Sequence, residues 1–309
     1  MFKLDWKRLG MTAGLSFTLV AAGCGSSEEE TSTNASGGDS EEAGYGEQLD
    51  YTITGIEAGA GVVAASQSAV EEYENLAGWE VSTSSSGAMA TALGDAIENE
   101  EPIVVTGWSP HWKFAKYDLK YLKDPKGVFG EAEQIKTMVR KGLEEDKPNA
   151  YKILDQFQWT GEDIESVMLE INDGAAPEEA AKAWIEENKD KVSSWTEGTE
   201  EVDGTEVELV YVNWDTEIAS TNVVAEVLKQ QGFDVTITPL NNGPMWEAVA
   251  EGEVTGMVAA WLPATHGDLY AEYKDSLVDL GMNLEGAKIG LVVPSYMDVE
   301  SIEDLQPKE

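Results

Sequence analysis

The sequence predicts an α/β protein with two similar lobes, each a mainly parallel sheet flanked by helices, and a ligand cleft between the lobes. In both halves of the chain, strand-like and helix-like segments alternate, which is typical of mainly parallel sheets. Each half also contains a strand that ends in Trp-x-Pro, once at Trp108 and once at Trp261. Ligands bind beyond the carboxyl ends of strands in open α/β sheets, so this repeat predicts two lobes that face one ligand.

The composition combines ample core material with a very large negative charge. Hydrophobic residues make up 42% of the 309 residues, which is enough for a sizeable core. Asp and Glu number 59 against 20 Lys and Arg, so the formal net charge is −39 at pH 7. Phosphates and anionic lipids attract positive surfaces, so this charge argues against nucleic-acid binding and against lying on an anionic membrane. Because the acidic residues are spread along the chain, they indicate a solvated surface suited to high salt, which screens self-repulsion.

Residue types that perform catalysis or bind metals are scarce. Cys24 is the only cysteine, so the chain has neither an intramolecular disulfide nor a cysteine-rich metal site. A metal site or a histidine-based triad would have to use His111 or His266, the two histidines of the chain. A nucleophile elbow of the Gly-x-Ser-x-Gly type is missing. The sequence therefore predicts no catalytic residue, no metal and no cofactor.

The N-terminal segment, residues 1–23, resembles a bacterial lipoprotein signal peptide. Basic residues precede a short apolar run, and small residues lead to Cys24. This pattern predicts export and lipidation of Cys24, which would anchor the protein to the outer side of the cell membrane. An ordinary signal peptide with a chance cysteine is the alternative. Residues 24–49 are acidic and polar, so we expect a disordered tether.

The first lobe is predicted over residues 50–129. A helix-like segment follows each of the first two strands, and the third strand ends at Trp108. The predicted strands are 51–56, 79–83 and 103–107, and the predicted helices are 62–76 and 88–99.

Residues 130–200 are predicted to be a helical connecting segment. Pro148 and Pro177 each begin a helix, and the Thr160–Asp163 stretch caps another. The large aromatic residues of this segment are expected in the core, and they are Trp159, Trp184 and Trp195.

The second lobe is predicted over residues 201–309 and repeats the element order of the first. Gly243-Pro-Met245 precedes its Trp-x-Pro strand, as Gly87-Ala-Met89 does in the first lobe. The C-terminal strand 287–294 is expected to return through the hinge between the lobes. The other predicted strands are 207–212, 233–238 and 257–260, and the predicted helices are 221–231 and 246–251.

Three tryptophans at strand ends are candidates for a ligand cage: Trp108, Trp214 and Trp261. Each one alone is more typical of a core position, but three indoles followed by polar turns favour a common site. Indole faces attract a cation through the ring quadrupole, by about 0.5–2 kcal/mol per favourable contact. A quaternary ammonium has no hydrogen to donate, so an aromatic cage is its natural receptor.

Groups that bind an anion are predicted beside this cage. His266 follows Trp261 by five residues, and Gly61 and Val62 begin a helix whose free amides and positive dipole end suit an anion. A cage for a cation beside donors for an anion suits a zwitterion. His111 follows Pro110 and has no such companion, so we interpret it as structural.

Several segments resemble the glycine betaine-binding lipoproteins of bacterial osmoprotectant ABC importers. They are Gly-Trp-Ser-Pro-His-Trp-Lys-Phe at 107–114, Tyr-Asp-Leu-Lys-Tyr-Leu-Lys-Asp-Pro-Lys at 117–126, Asn-Trp-Asp-Thr-Glu-Ile-Ala-Ser-Thr-Asn at 213–222, Ala-Trp-Leu-Pro-Ala-Thr-His at 260–266 and Gly-Leu-Val-Val-Pro-Ser-Tyr-Met at 290–297. The resemblance covers roughly residues 50–306. It implies a two-lobed periplasmic-binding-protein fold, type II-like, that captures its ligand by lobe closure.

The order of the halves resembles the lipoprotein branch of that family, which implies roles for individual residues. In this branch a trimethylammonium group lies among three tryptophans, which match Trp108, Trp214 and Trp261. The ligand carboxylate meets a histidine that matches His266 and two backbone amides that match Gly61 and Val62. Val62 replaces an isoleucine of the relatives, and an amide contact does not depend on that side chain.

The resemblance implies a binding protein and not an enzyme. It would deliver glycine betaine, and proline betaine as a further ligand, to the permease subunits of an ABC importer for osmoprotection. A choline or carnitine receptor of the same fold is one alternative, although choline has no carboxylate to meet His266. A secreted carbohydrate-active enzyme is another alternative, but it needs two placed carboxyl groups, and only Asp215 lies beside a cage tryptophan at a strand end.

Overall fold

The computed structural model of this protein describes residues 44–309. The predictions for residues 1–23, for Cys24 and for most of the tether lie outside the described residues. The described part of the chain is a mixed α/β structure in which helices flank a sheet. Within it, the strands are β1 (Thr52–Thr54), β2 (Glu80–Ser82), β3 (Val105–Ser109), β4 (Leu119–Tyr121), β5 (Glu133–Arg140), β6 (Glu206–Tyr211), β7 (Asp234–Pro239), β8 (Gly256–Leu262) and β9 (Leu277–Pro294).

The helices connect these strands and cover the sheet. Short 3₁₀ turns lie at Glu74–Leu76 and Ile302–Asp304. The α-helices in the described residues are α1 (Tyr45–Gln48), α2 (Gly61–Glu72), α3 (Ser86–Glu98), α4 (Trp112–Lys116), α5 (Leu143–Asp146), α6 (Pro148–Gln156), α7 (Gly161–Asn172), α8 (Pro177–Glu187), α9 (Lys189–Trp195), α10 (Asp215–Gln230), α11 (Asn242–Glu251) and α12 (Gly267–Tyr273). None of these helices combines the length and the apolar character that a membrane span needs.

The sheet consists of two parallel groups joined by antiparallel strands. Its order is β2-β1-β3-β9-β5-β8-β6-β7, and β4 pairs with β9 beside this path. β1 is parallel to β2 and β3, and β6 is parallel to β7 and β8. We call residues 50–129 the first half and residues 201–309 the second half. The long strand β9 pairs with β3 of the first half and, through its earlier residues, with β5.

Two predictions for the segments outside the lobes are wrong in part. Residues 44–49 were expected in the disordered tether, but 45–48 form α1. It is held because the Gly46 amide donates to Gln306 and the Tyr45 phenol accepts from the Asp298 amide. Residues 133–140 were expected to be helical but form β5, because pairing with the distant strands β8 and β9 determines their conformation.

Most local predictions are confirmed. Pro148 and Pro177 begin α6 and α8, and Thr160 caps α7 through a capping box with Asp163. Ser301 and Asp304 form a second capping box at the C-terminal 3₁₀ turn. The strands β3 and β8 continue through their tryptophans, so Trp108 and Trp261 each occupy the next-to-last position of their strand.

The helices between the two halves pack mainly on α10. α6, α7 and α8 all contact α10, and α7 also contacts α4 of the first half. The aromatic residues predicted for the core of this segment are buried. Trp184 stacks on Trp195 with ring centroids 5.8 Å apart, and Trp159 meets the Trp184 ring edge-on. These helices therefore extend the second half. They contribute no residue to the cavity at the ends of β3 and β8 that is described below.

Candidate functional site

A cavity lies at the ends of β3 and β8, and about 330 Å³ of space free of protein atoms, part of it open to solvent, lies between its walls. All three tryptophans predicted for the ligand cage line it. Trp108 is 5% exposed, Trp214 is 7% exposed and Trp261 is 3% exposed, so all three indoles are largely shielded from bulk water. The residues that line it are Ile56, Ala60, Gly61, Val62, Trp108, Trp214, Thr216, Trp261, Thr265 and Ile289. Both halves contribute to its walls.

Trp108 is fixed by its strand and by buried neighbours. Its backbone pairs with Ile289 of β9, and the His111 ring meets its indole edge-on with centroids 4.6 Å apart. The Lys113 ammonium lies 4.2 Å from the centroid of the Trp108 ring. Lys113 is fully buried, and burial lowers its pKa to about 7. Lys113 therefore occupies one face of the Trp108 indole.

Trp214 stands at the N-terminus of α10, where it forms the N-cap position. Its indole Nε1 donates a 3.1 Å hydrogen bond to the Glu57 carboxylate of the first half. Its ring lies parallel to the His266 ring, with centroids 6.2 Å apart and an interplanar angle of 17°. Trp214 therefore connects the two halves and covers His266.

Trp261 and His266 form a closed turn after β8. The His266 amide donates to the Trp261 carbonyl oxygen at 2.9 Å, and the Trp261 amide donates to His266 Nδ1 at 3.0 Å. Burial lowers the pKa of His266 to about 3, so the imidazole is neutral at physiological pH. Because Nδ1 accepts a hydrogen bond, Nε2 carries the hydrogen, and this buried atom has no partner among the described residues. His266 thus offers one unused donor.

Glu133 of β5 fixes the same turn from the other side. Its Oε1 accepts hydrogen bonds from the amides of Ala264 and Thr265, both at 2.8 Å, and its Oε2 accepts one from the Thr265 hydroxyl. Glu133 is 1% exposed. The sequence alone does not reveal Glu133 as a site residue, because its partners lie more than 130 residues along the chain and no local pattern marks it.

The N-terminus of α2 forms the opposite wall. Helix α2 begins at Gly61, so the amides of Gly61 and Val62 lie in its first turn, where backbone donors have no intrahelical acceptor. Gly61 closely approaches the second half: a Cβ at this position would lie 2.6 Å from the carbonyl oxygen of Thr265. The close approach therefore requires glycine at position 61, because no side chain fits there. The amide donor alone would not require glycine, since every residue except proline has one.

The structure brings five of the six predicted ligand-binding residues into the cavity wall. His266 is not among the lining residues, but its ring faces Trp214 and its Nδ1 accepts from the Trp261 amide. Their roles toward a ligand stay predictions. The second histidine, His111, is fully buried, and its Nδ1 accepts the Lys113 amide hydrogen at the start of α4, which agrees with a structural role. The residues that sequence reasoning missed are Glu57, Glu133, Thr216 and Thr265.

A buried acid supports the loop that carries Trp214. Glu217 is fully buried in the first turn of α10, and its Oε2 accepts the Val212 amide hydrogen at 2.5 Å. Burial raises the pKa of this carboxyl from 4.5 to about 8. The pKa of Glu217 is thus higher in the folded than in the unfolded protein. The stability that the protonated Glu217 carboxyl contributes is therefore complete below about pH 4.5 and is lost as the pH rises through 8.

We expect Glu217→Gln to stabilise the protein increasingly at higher pH. Glutamine keeps an acceptor for Val212 but cannot ionise in the unfolded state. Its advantage over wild type in the free energy of unfolding should grow by up to about 1.4 kcal/mol per pH unit between pH 5 and pH 8. Urea unfolding at several pH values measures this, with the exposed Glu98→Gln as control. A difference that does not change with pH would contradict the buried, protonated state of Glu217.

Comparisons with known proteins agree with one another. A family model described as the substrate binding domain of ABC-type glycine betaine transport systems matches residues 39–187 and 205–309. The glycine betaine/carnitine transport binding protein GbuC of Listeria monocytogenes is 59% identical over 263 residues, which cover 84% of this chain and 88% of that protein. These two matches determine the family.

Solved structures of similar proteins match in part. The lactococcal OpuAC structure in its closed, liganded conformation with glycine betaine is 56% identical, with a TM-score of 0.48, over 49% of this chain and 59% of that chain. A choline-binding protein of an ABC transporter in complex with choline is 31% identical, with a TM-score of 0.45, over 50% of this chain and 55% of that chain. The matched part therefore spans little more than half of each solved protein.

Proposed function

Since this chain belongs to the family of substrate-binding domains of ABC-type glycine betaine transport systems, we propose that it binds glycine betaine in the cavity between its two halves and delivers it to an importer. The chain is a binding component and not an enzyme. One observation carries the choice of ligand: Trp108 of β3, Trp214 at the start of α10 and Trp261 of β8 line the same cavity and are nearly buried. In this proposal the two halves are the lobes that close on the ligand.

The tryptophans account for the ammonium end of the ligand. A trimethylammonium group is a cation without a hydrogen to donate, so it gains little from polar acceptors and much from aromatic faces. The three indoles are 3–7% exposed, and a desolvated cation–π contact is stronger than an exposed one. The remaining cavity wall is mainly apolar, with Ile56, Val62 and Ile289, and it suits the methyl groups.

The donors near the cavity account for the carboxylate end. The first amides of α2, at Gly61 and Val62, and the positive end of its dipole favour an anion. The unused Nε2 hydrogen of His266 is the third donor. A neutral histidine is well suited to this task, because a charged imidazolium beside the cage would repel the ammonium group of the same ligand.

We expect His266→Ala to weaken glycine betaine binding by about 10- to 100-fold, the range for a lost hydrogen bond to a charged group. Choline carries the same ammonium group without a carboxylate, so its weaker affinity should change by less than about threefold. Isothermal titration calorimetry with both ligands measures the effect. His266→Gln, which keeps a donor, is the matched control and should retain more affinity. Equal losses for both ligands would contradict a carboxylate contact and point to loss of support for Trp261.

The family places this protein outside the cytoplasm, because substrate-binding components of ABC importers collect their ligand there. Its partners are accordingly the permease subunits of such an importer. We further propose that a lipid on Cys24 anchors the protein to the membrane, which the basic start, the apolar run and the small residues before Cys24 support.

Cys24→Ser tests the anchor. We expect the wild-type protein in the membrane fraction of cells and the serine variant in the soluble extracytoplasmic fraction, because lipidation requires the thiol. Ser26→Ala, two residues away, is the control and should stay with the membrane. A Cys24→Ser protein that remains equally membrane-bound would contradict lipid anchoring.

A further inference from the structure

A group of hydrogen bonds outside the cavity joins the two halves at Asp215, the first residue of α10. Its Oδ1 accepts from Trp112 Nε1 at 2.9 Å, and its Oδ2 accepts from the Ser86 hydroxyl at 3.0 Å. His111 Nε2 lies 3.5 Å from Oδ2. Ser86, His111 and Trp112 belong to the first half and Asp215 to the second, and we call these four residues the Asp215 contact.

Glu57 extends this connection to the cavity. Its Oε1 accepts the Ser86 amide hydrogen at 3.2 Å, and its Oε2 accepts the indole hydrogen of Trp214 at 3.1 Å. Ser86 thus donates to one carboxylate of each half. Hydrogen bonds with first-half residues therefore fix Trp214, which lines the cavity, and its neighbour Asp215.

Ligand exchange has to break these bonds. The cavity walls come from both halves and the three cage tryptophans are nearly inaccessible, so a ligand can enter or leave only when the halves separate. Asp215 itself is not among the residues that line the cavity. Its hydrogen bonds therefore exist in the closed arrangement and oppose separation without touching the ligand.

We propose that Asp215 is a positioning residue that slows release of the bound ligand by accepting hydrogen bonds from Ser86 and Trp112 across the two halves. The proposal rests on the proposed function, because it assumes that the ligand occupies the cavity. A carboxylate is an effective acceptor for two donors, since hydrogen bonds to an ionised group are stronger than neutral ones. This role also gives a reason for Asp215 and for the Pro-His-Trp motif at 110–112, none of which lines the cavity.

Stopped-flow tryptophan fluorescence with glycine betaine tests the proposal through rates. Asp215→Asn should raise the dissociation rate by about 10-fold or more, as expected for loss of a charged acceptor, and change the association rate by less than about threefold. Ser86→Ala and Trp112→Phe, which each remove one of the two donors, should raise the same rate. Asp268→Asn is the control, because it makes the same charge change in the first turn of α12 at an exposed position.

A double-mutant cycle separates this role from general destabilisation. If Ser86 acts through Asp215, then Ser86→Ala should have little further effect on dissociation in the Asp215→Asn protein. Fully additive effects, or an unchanged dissociation rate in Asp215→Asn, overturn the role of Asp215 and leave the proposed function intact. Failure of the wild-type protein to bind glycine betaine overturns both.

Discussion

Replacing Trp261 by leucine is expected to weaken glycine betaine binding by about 10- to 30-fold, while phenylalanine should cost less than about fivefold. Leucine keeps an apolar side chain but has no π face, and the loss of a desolvated cation–π contact is worth up to about 2 kcal/mol. Trp261 is 3% exposed and lines the cavity, so the contact would be well desolvated. Isothermal titration calorimetry of the three proteins measures the affinities.

The control for this comparison is another buried tryptophan away from the site. Trp79 is 4% exposed, and its indole donates to the Gln306 carbonyl oxygen. Trp79→Leu should destabilise the fold and leave the affinity unchanged, which separates packing from ligand contact. If the Trp261→Leu and Trp261→Phe proteins bind glycine betaine equally well, the cation–π contact is contradicted and the indole serves only as an apolar wall.

Gly61→Ala should reduce binding by about 10- to 100-fold through a purely steric effect. The added Cβ would lie 2.6 Å from the Thr265 carbonyl oxygen and 3.0 Å from its Cα, and backbone atoms cannot rotate away. Overpacking of this kind typically costs 1–3 kcal/mol. Because Gly61 and Thr265 belong to different halves, alanine would separate them and widen the cavity.

Gly87→Ala is the matched control, since a Cβ at Gly87 of α3 meets nothing within 4 Å. We expect this variant to bind like wild type. The affinities can be compared by the same calorimetric titration. Wild-type affinity in Gly61→Ala would show that the two halves need not approach closely at this point when the ligand is bound.

The sequence predicted the elements of this site that depend on local pattern. Buried strands followed by Trp-x-Pro located Trp108 and Trp261, and a glycine-rich helix start located Gly61. Caps and proline starts also depend on neighbours a few residues away, and these predictions are confirmed at Thr160 and Pro148.

What the sequence could not predict depends on distant pairing. The segment that forms β5 has its conformation set by β8 and β9, and composition alone suggested a helix. Glu133, in this strand, shapes the turn that carries His266 through contacts that no spacing reveals. The tautomer of His266 likewise follows only from its hydrogen bond with the Trp261 amide.

The measurement that tests the central claim most directly is a titration of the purified protein with glycine betaine and with tert-butylacetate. The second compound has the same shape and the same carboxylate, but carbon replaces the charged nitrogen. A cage that attracts a cation should bind glycine betaine at least about 10-fold more tightly, since three aromatic faces contribute. Equal affinity for the two compounds would contradict the cation–π account, and no binding of glycine betaine by the folded protein would contradict the proposed function itself.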